Sequence, residues 1–142
     1  GIIMQEQWIK WEPLQGLSEK YYIDCIVDSI EDFSVLLSDY NNEKKIKIIF
    51  KNSVDAYRST DESYRLKTIN DLDKEHGLDF YVKWSFFKVL NSDYIKWLSQ
   101  ESFKISDYSS FTHFSIVAAD SILDIVTNYE PRIEFINLDN RQ

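Results

Sequence analysis

The sequence predicts an α+β domain built on antiparallel sheet, and three observations carry that expectation. β-Branched and aromatic residues alternate through the first third of the chain, the apolar period lengthens to a helical one in the middle, and alternation returns in the last third. At 142 residues the chain suits one domain spanning residues 1–142, a size at which folding buries roughly 68–70% of the unfolded surface. Aromatic residues make up 15% of the chain against three glycines and two prolines, a composition suited to a packed core.

The elements follow in order. Residues 8–11 form a short strand that stops before Pro13, and residues 21–27, 33–37 and 44–50 form an antiparallel meander separated by Asp-, Ser- and Asn-rich turns. In the last of these, Ile46, Ile48 and Phe50 share one face, and Lys45 and Lys47 lie on the other, facing water. Ser59 and Glu62 have capping-box spacing, which predicts a longer helix from about Ser59 to His76; Leu66, Ile69 and Leu72 make its apolar stripe, and Gly77 supplies the stop. His76 then favours the negative end of the helix. Residues 81–90 predict an aromatic strand covered on both faces and therefore central. Ser92 caps a shorter helix whose Tyr94, Trp97 and Leu98 fall on one core-facing stripe. Residues 111–117, 122–127 and 132–136 complete the sheet, although the middle segment also fits one short helix, and residues 137–142 form a frayed tail.

Twenty-four acidic residues against sixteen lysines and arginines give a net charge of −8, which disfavours nucleic acids and anionic membranes as partners and favours a basic protein. The single cysteine, Cys25, excludes an internal disulfide and lies among Ile23, Ile26 and Val27 as a small buried hydrophobe. No segment has the ~20 apolar residues of a membrane span, and residues 1–6 lack the basic-then-apolar pattern of a leader. A cytoplasmic location follows as an expectation.

Candidate chemistry is sparse. Asp71, Asp73 and Glu75 resemble metal ligands on paper, but helical residues two apart point about 200° away from each other, so no metal site is expected. Asp24 and Asp28 have no third partner. His113 lies in an alternating strand outside any nucleophile elbow and reads as structural or merely hydrogen-bonded, the alternative being the base of a small metal-independent hydrolase. Lysines beside aromatic residues at Lys83–Trp84 and Phe87–Lys88 could stack on single strands, but the net charge opposes it. No nucleophile, base and orienting group assemble from recognisable motifs, so no enzymatic activity and no cofactor are expected.

The stretch from Ser53 to Leu66 stands apart because it concentrates tyrosines, arginines and acids without an apolar run. Tyr57, Arg58, Asp61, Glu62, Tyr64 and Arg65 are its candidate partner-binding residues, since Tyr and Arg combine contact area with directional hydrogen bonds. The alternative is internal: Arg58 and Arg65 pair with Asp55, Asp61 or Glu62, while the tyrosines shield the sheet.

The ordered blocks at residues 56–63, 84–89 and 92–98, followed by His113–Phe114, Asp124–Ile125 and Glu130–Pro131, resemble those of small bacillary proteins encoded beside wall-associated WapA-type toxins, some of which are immunity proteins. The resemblance runs from about Trp8 to Ile136. It implies a cytoplasmic antitoxin that binds the toxin's C-terminal domain, commonly a nuclease, and it brings no catalytic residues with it. A non-enzymatic scaffold or oligomer-forming protein is the alternative. The oligomeric state is open at this level.

Overall fold

The computed structural model describes residues 5–51 and 54–136. Ser53 and the tail expected at residues 137–142 lie outside the described residues. The elements in chain order are β1 (Gln7–Lys10), β2 (Tyr21–Asp28), β3 (Phe33–Asp39), β4 (Lys45–Phe50), β5 (Val54–Asp61), a 3-10 turn (Glu62–Tyr64), α1 (Leu66–His76), β6 (Phe86–Leu90), α2 (Asp93–Glu101), a second 3-10 turn (Ile105–Tyr108), β7 (Thr112–Val117), β8 (Ser121–Thr127) and β9 (Arg132–Ile136). The architecture is α+β, with one helix longer than the other.

The strands divide between two antiparallel sheets. One has the order β1-β6-β7-β8-β5 and the other β2-β3-β4-β9. The predicted meander is β2-β3-β4, and β9 returns to pair with β4 instead of joining β7 and β8. Strand alternation explains how the sheets stack. Phe86, Phe114, Ile116, Leu123 and Ile125 of the larger sheet form one core with Val35, Leu37, Ile46, Ile48 and Phe50 of the smaller. The intervening residues Phe87, Val89, Val117 and Ile122 point the other way and form a second core with Trp8 and with Leu72 of α1. The larger sheet is therefore the middle layer, with β7 and β8 buried on both sides, and the expectation of a doubly covered β6 holds for Phe86 and Phe87, both fully buried.

Several expectations are corrected. Ser59 starts no helix: it is an exposed residue in β5, and the strand continues to Asp61, whose carboxylate accepts from the Ser63 N–H at 2.9 Å and opens the 3-10 turn. Pairing of β5 with β8 from Val54 through Asp61 outweighs the local capping signal, and α1 begins only at Leu66. The strand expected over residues 81–90 is confined to Phe86–Leu90. The Trp84 indole N–H donates to the Trp11 carbonyl, and the carbonyls of Tyr81 and Trp84 turn to the Lys20 ammonium. Cys25 is exposed, because a register shift between Ile23 and Cys25 inserts an extra residue and turns the following side chains over. Trp97 is half exposed while Tyr94 is buried, so only part of the α2 stripe faces the core.

Other local signals hold. Ser92 caps α2, its Oγ accepting from the Ile95 N–H at 3.1 Å. α1 ends at His76, which stacks on Phe80, and Gly77 takes φ 88° while its N–H bonds the Asp73 carbonyl. The ambiguous segment at residues 122–127 is strand.

Candidate functional site

Strand alternation sends His113, Ser115 and Asp124 to the face of the larger sheet that the helices cover, where all three are buried. Cross-strand pairing aligns Arg58 of β5, Asp124 of β8 and Ser115 of β7 in one row, with His113 diagonal to Asp124. The turn from β6 into α2 places Ser92 beside His113, which pairs with Val89 near the end of β6.

The result is one connected polar network. His113 Nε2 lies 2.7 Å from Asp124 Oδ1, and His113 Nδ1 lies 2.7 Å from Ser92 Oγ. The Arg58 Nε–H and an Arg65 Nη1–H both donate to Asp124 Oδ2 at 2.8 Å, and the Arg65 Nε–H donates to the Thr68 hydroxyl. With the ring proton on Nε2, the imidazole donates to Asp124 and accepts from the Ser92 hydroxyl, whose oxygen in turn accepts from the Ile95 N–H. Tyr94 packs edge-on against the His113 ring and carries the Arg58 guanidinium over its own face at 4.3 Å.

Burial alone pushes the Asp124 carboxyl up, but the His113 hydrogen bond, together with Arg65 and Arg58, holds it well below the usual carboxylate range. Asp124 is 0% exposed, so this compensation is needed for a charge to stay there. The Ser115 hydroxyl beside it has no hydrogen-bond partner among the described residues.

The six residues singled out in the sequence separate into two groups. Arg58 and Arg65 turn to Asp124, an internal pairing, but with a carboxylate 66 and 59 residues away instead of Asp55, Asp61 or Glu62; Arg58 stays partly exposed. Tyr57, Asp61 and Tyr64 stay on the surface, and Glu62 is half-buried with its N–H on the Asp120 carbonyl. β5 is an end strand of the larger sheet, so this second group follows a free strand edge. Tyr57 packs its ring on Phe33 at 4.7 Å between centroids, and the Ser63 hydrogen bonds lower the Asp61 carboxyl. Sequence reasoning named His113 and Ser92 separately and gave Asp124 no chemical role, although it is a carboxylate inside the apolar run Ile122–Leu123–Asp124–Ile125–Val126.

Lys20 was also passed over. Its ammonium donates to the carbonyls of Tyr81, Trp84 and Val117, and burial pushes it down to about 8, offset in part by Glu62. Asp71 pairs with Lys67, Asp24 accepts from the Ser38 hydroxyl, and no cluster of metal-ligating side chains occurs among the described residues. No helix among the described residues is long and apolar enough to cross a membrane. No protein-family model, curated protein or solved structure matches this chain.

Proposed function

We propose that this protein is a cytoplasmic immunity protein, which neutralises the nuclease-type C-terminal domain of a contact-dependent wall-associated toxin by stoichiometric binding. The observation that supports the reading is the surface along the free edge of β5 and the turn after it. Tyr57, Asp61 and Tyr64 are exposed there, and Glu62 lies between Asp61 and Tyr64. An unpaired strand edge offers backbone donors and acceptors to a partner segment, and tyrosines add contact area at little entropic cost. A nuclease must present a basic surface to its polyanionic substrate, and a chain of net charge −8 approaches such a surface with accelerated association. Covering the substrate-binding surface is sufficient for inhibition.

The decisive experiment expresses the toxin domain encoded beside this gene with and without the protein, and looks for a complex by gel filtration. Loss of toxicity together with a 1:1 complex is expected; full toxicity without a complex overturns the reading. Replacing Asp61 and Glu62 together by lysine should slow association, and more so at low salt.

The hydrolase alternative has its own observation, the chain Ser92–His113–Asp124. Ser92 and His113 are 4% and 1% exposed, and the Ser92 oxygen caps α2, so a substrate carbonyl has no approach to it. The network supports a structural role, and the protein acts as a binder without catalysis. A serine-directed fluorophosphonate separates the two: stoichiometric labelling lost in Ser92→Ala would reinstate the hydrolase.

A further inference from the structure

Above the Asp124 network a cleft of about 700 Å³ opens between α1, the start of β1 and the N-terminal end of α2. Its cationic lining is Arg58, Arg65, Lys67 and Lys96. The lysines are taken: Lys67 pairs with Asp71 at 2.7 Å and Lys96 with Asp93 at 3.7 Å. The N-terminus of α2 is also taken, because the Asp93 N–H donates to the Glu6 carboxylate at 2.8 Å. The two arginines differ. They share one carboxylate oxygen, Asp124 Oδ2, so two guanidinium charges at the floor of the cleft face one buried negative charge.

Their donors are not exhausted either. Arg58 uses only Nε, and Arg65 uses Nη1 and Nε; among the described residues, Arg58 Nη1, Arg58 Nη2 and Arg65 Nη2 have no hydrogen-bond partner. Both groups are held in place, Arg58 between Asp124 and the Tyr94 ring and Arg65 between Asp124 and Thr68. Arg65 retains only 13% side-chain exposure, whereas Arg58 keeps 43% and opens to the cleft. Two immobilised guanidinium forks with unspent N–H groups match the planar, multi-oxygen geometry of an oxyanion, and the cost of ordering them has already been met by the fold.

We propose that the floor of this cleft is a binding site for a compact oxyanion, a carboxylate or a phosphate, received by the free terminal amino groups of Arg58 and Arg65. The Arg58–Arg65–Asp124 cluster carries one positive charge beyond its carboxylate, which suits one negative charge, and Glu6 and Glu75 on the cleft wall oppose highly charged anions. The site is independent of the β5 edge, so it stands or falls separately from toxin binding.

The test follows the Arg58 and Arg65 Nε–H resonances by NMR while acetate or inorganic phosphate is titrated at constant ionic strength against chloride. A saturable shift of both resonances in the millimolar range is expected; saturation with acetate alone identifies a carboxylate source, and with phosphate alone a phosphate source. Shifts that fail to saturate with either, or that chloride reproduces, overturn the proposal from the unmodified protein. In a folded Arg58→Gln variant affinity should fall at least tenfold, with Arg58→Lys falling between it and the parent; an unchanged affinity in Arg58→Gln also overturns it.

Discussion

The outer face of the four-stranded sheet and the helix-covered face of the five-stranded sheet are built from the same alternation of apolar and polar residues, yet their polar groups meet opposite fates. On the outer face the Ser38 hydroxyl donates to Asp24, which is exposed, and Lys45 and Lys47 are half-buried. On the helix-covered face His113, Ser115 and Asp124 are sealed beneath α1 and α2. In the first set the buried Ser38 hydroxyl needs only one neighbouring carboxylate, and Asp24, Lys45 and Lys47 keep contact with solvent. The second set must be satisfied by other side chains, and the demand for partners draws Ser92, Arg58 and Arg65 into one network. A polar residue on a strand is cheap or expensive according to what lies on top of it.

The largest expected break of this contrast is Asp124→Ala. It strands two guanidiniums and an imidazole around an empty position, and should cost about 3–5 kcal/mol of unfolding free energy in a urea titration. The pH dependence runs with it. Because the folded carboxyl lies below its unfolded value, the stability that Asp124 contributes is fully present above the unfolded value of about 3.9 and is lost as pH falls through and below it. The gap between the parent and Asp124→Ala should therefore narrow in acid, and a gap constant from pH 6 to pH 2 would contradict the charge argument.

Lys20 sharpens the comparison, since its buried charge is held by carbonyl oxygens and not by a carboxylate. Its folded value of about 8 lies below the unfolded one of 10.5, so between those limits the unfolded chain binds more protons and stability rises with pH. Measured as the difference between the parent and Lys20→Met, which cancels other titrating groups, the parent should gain on the order of 2 kcal/mol between pH 7 and pH 10. A flat difference would mean that the carbonyls keep the ammonium charged throughout.

Ser92→Ala removes a helix cap and the oxygen that meets His113, and should cost about 1–2 kcal/mol by thermal or chemical unfolding. Asp24→Ala is the control on the wet face: its hydrogen bond from Ser38 is lost next to solvent, and the expected cost is about 0.5 kcal/mol. A loss as large as that of Ser92→Ala would erase the distinction between the two faces.

Much of the fold was legible in the sequence because its causes are local. β3 and β4 were visible in their alternation, β9 in its span after Pro131, the α2 cap in Ser92, and the end of α1 in His76 followed by Gly77. The failures share a reason. Ser59 and Glu62 satisfy a helix-start pattern, but Ser59 pairs with Leu123 in β8, a partner that no local window contains. Cys25 was misplaced because one extra residue in β2 shifts the side-chain phase, and a bulge is fixed by register against β3.

The candidate site was less legible still. Residue types alone marked the tyrosines and acids of the segment after Ser53 as suited to contact, and marked Arg58 and Arg65 as needing a partner. Which arginine partner exists was decided only when β5 lay beside β8 and the helices closed over Asp124, because the carboxylate is 66 and 59 residues away and becomes attractive only once buried. The sequence by itself determined the mixed class, most of the elements outside β5 and the net acidic charge, through short-range sterics, periodicity and composition. The tertiary structure alone decided the division into two sheets and the pairing of buried charges, because those depend on contacts between segments distant in the chain.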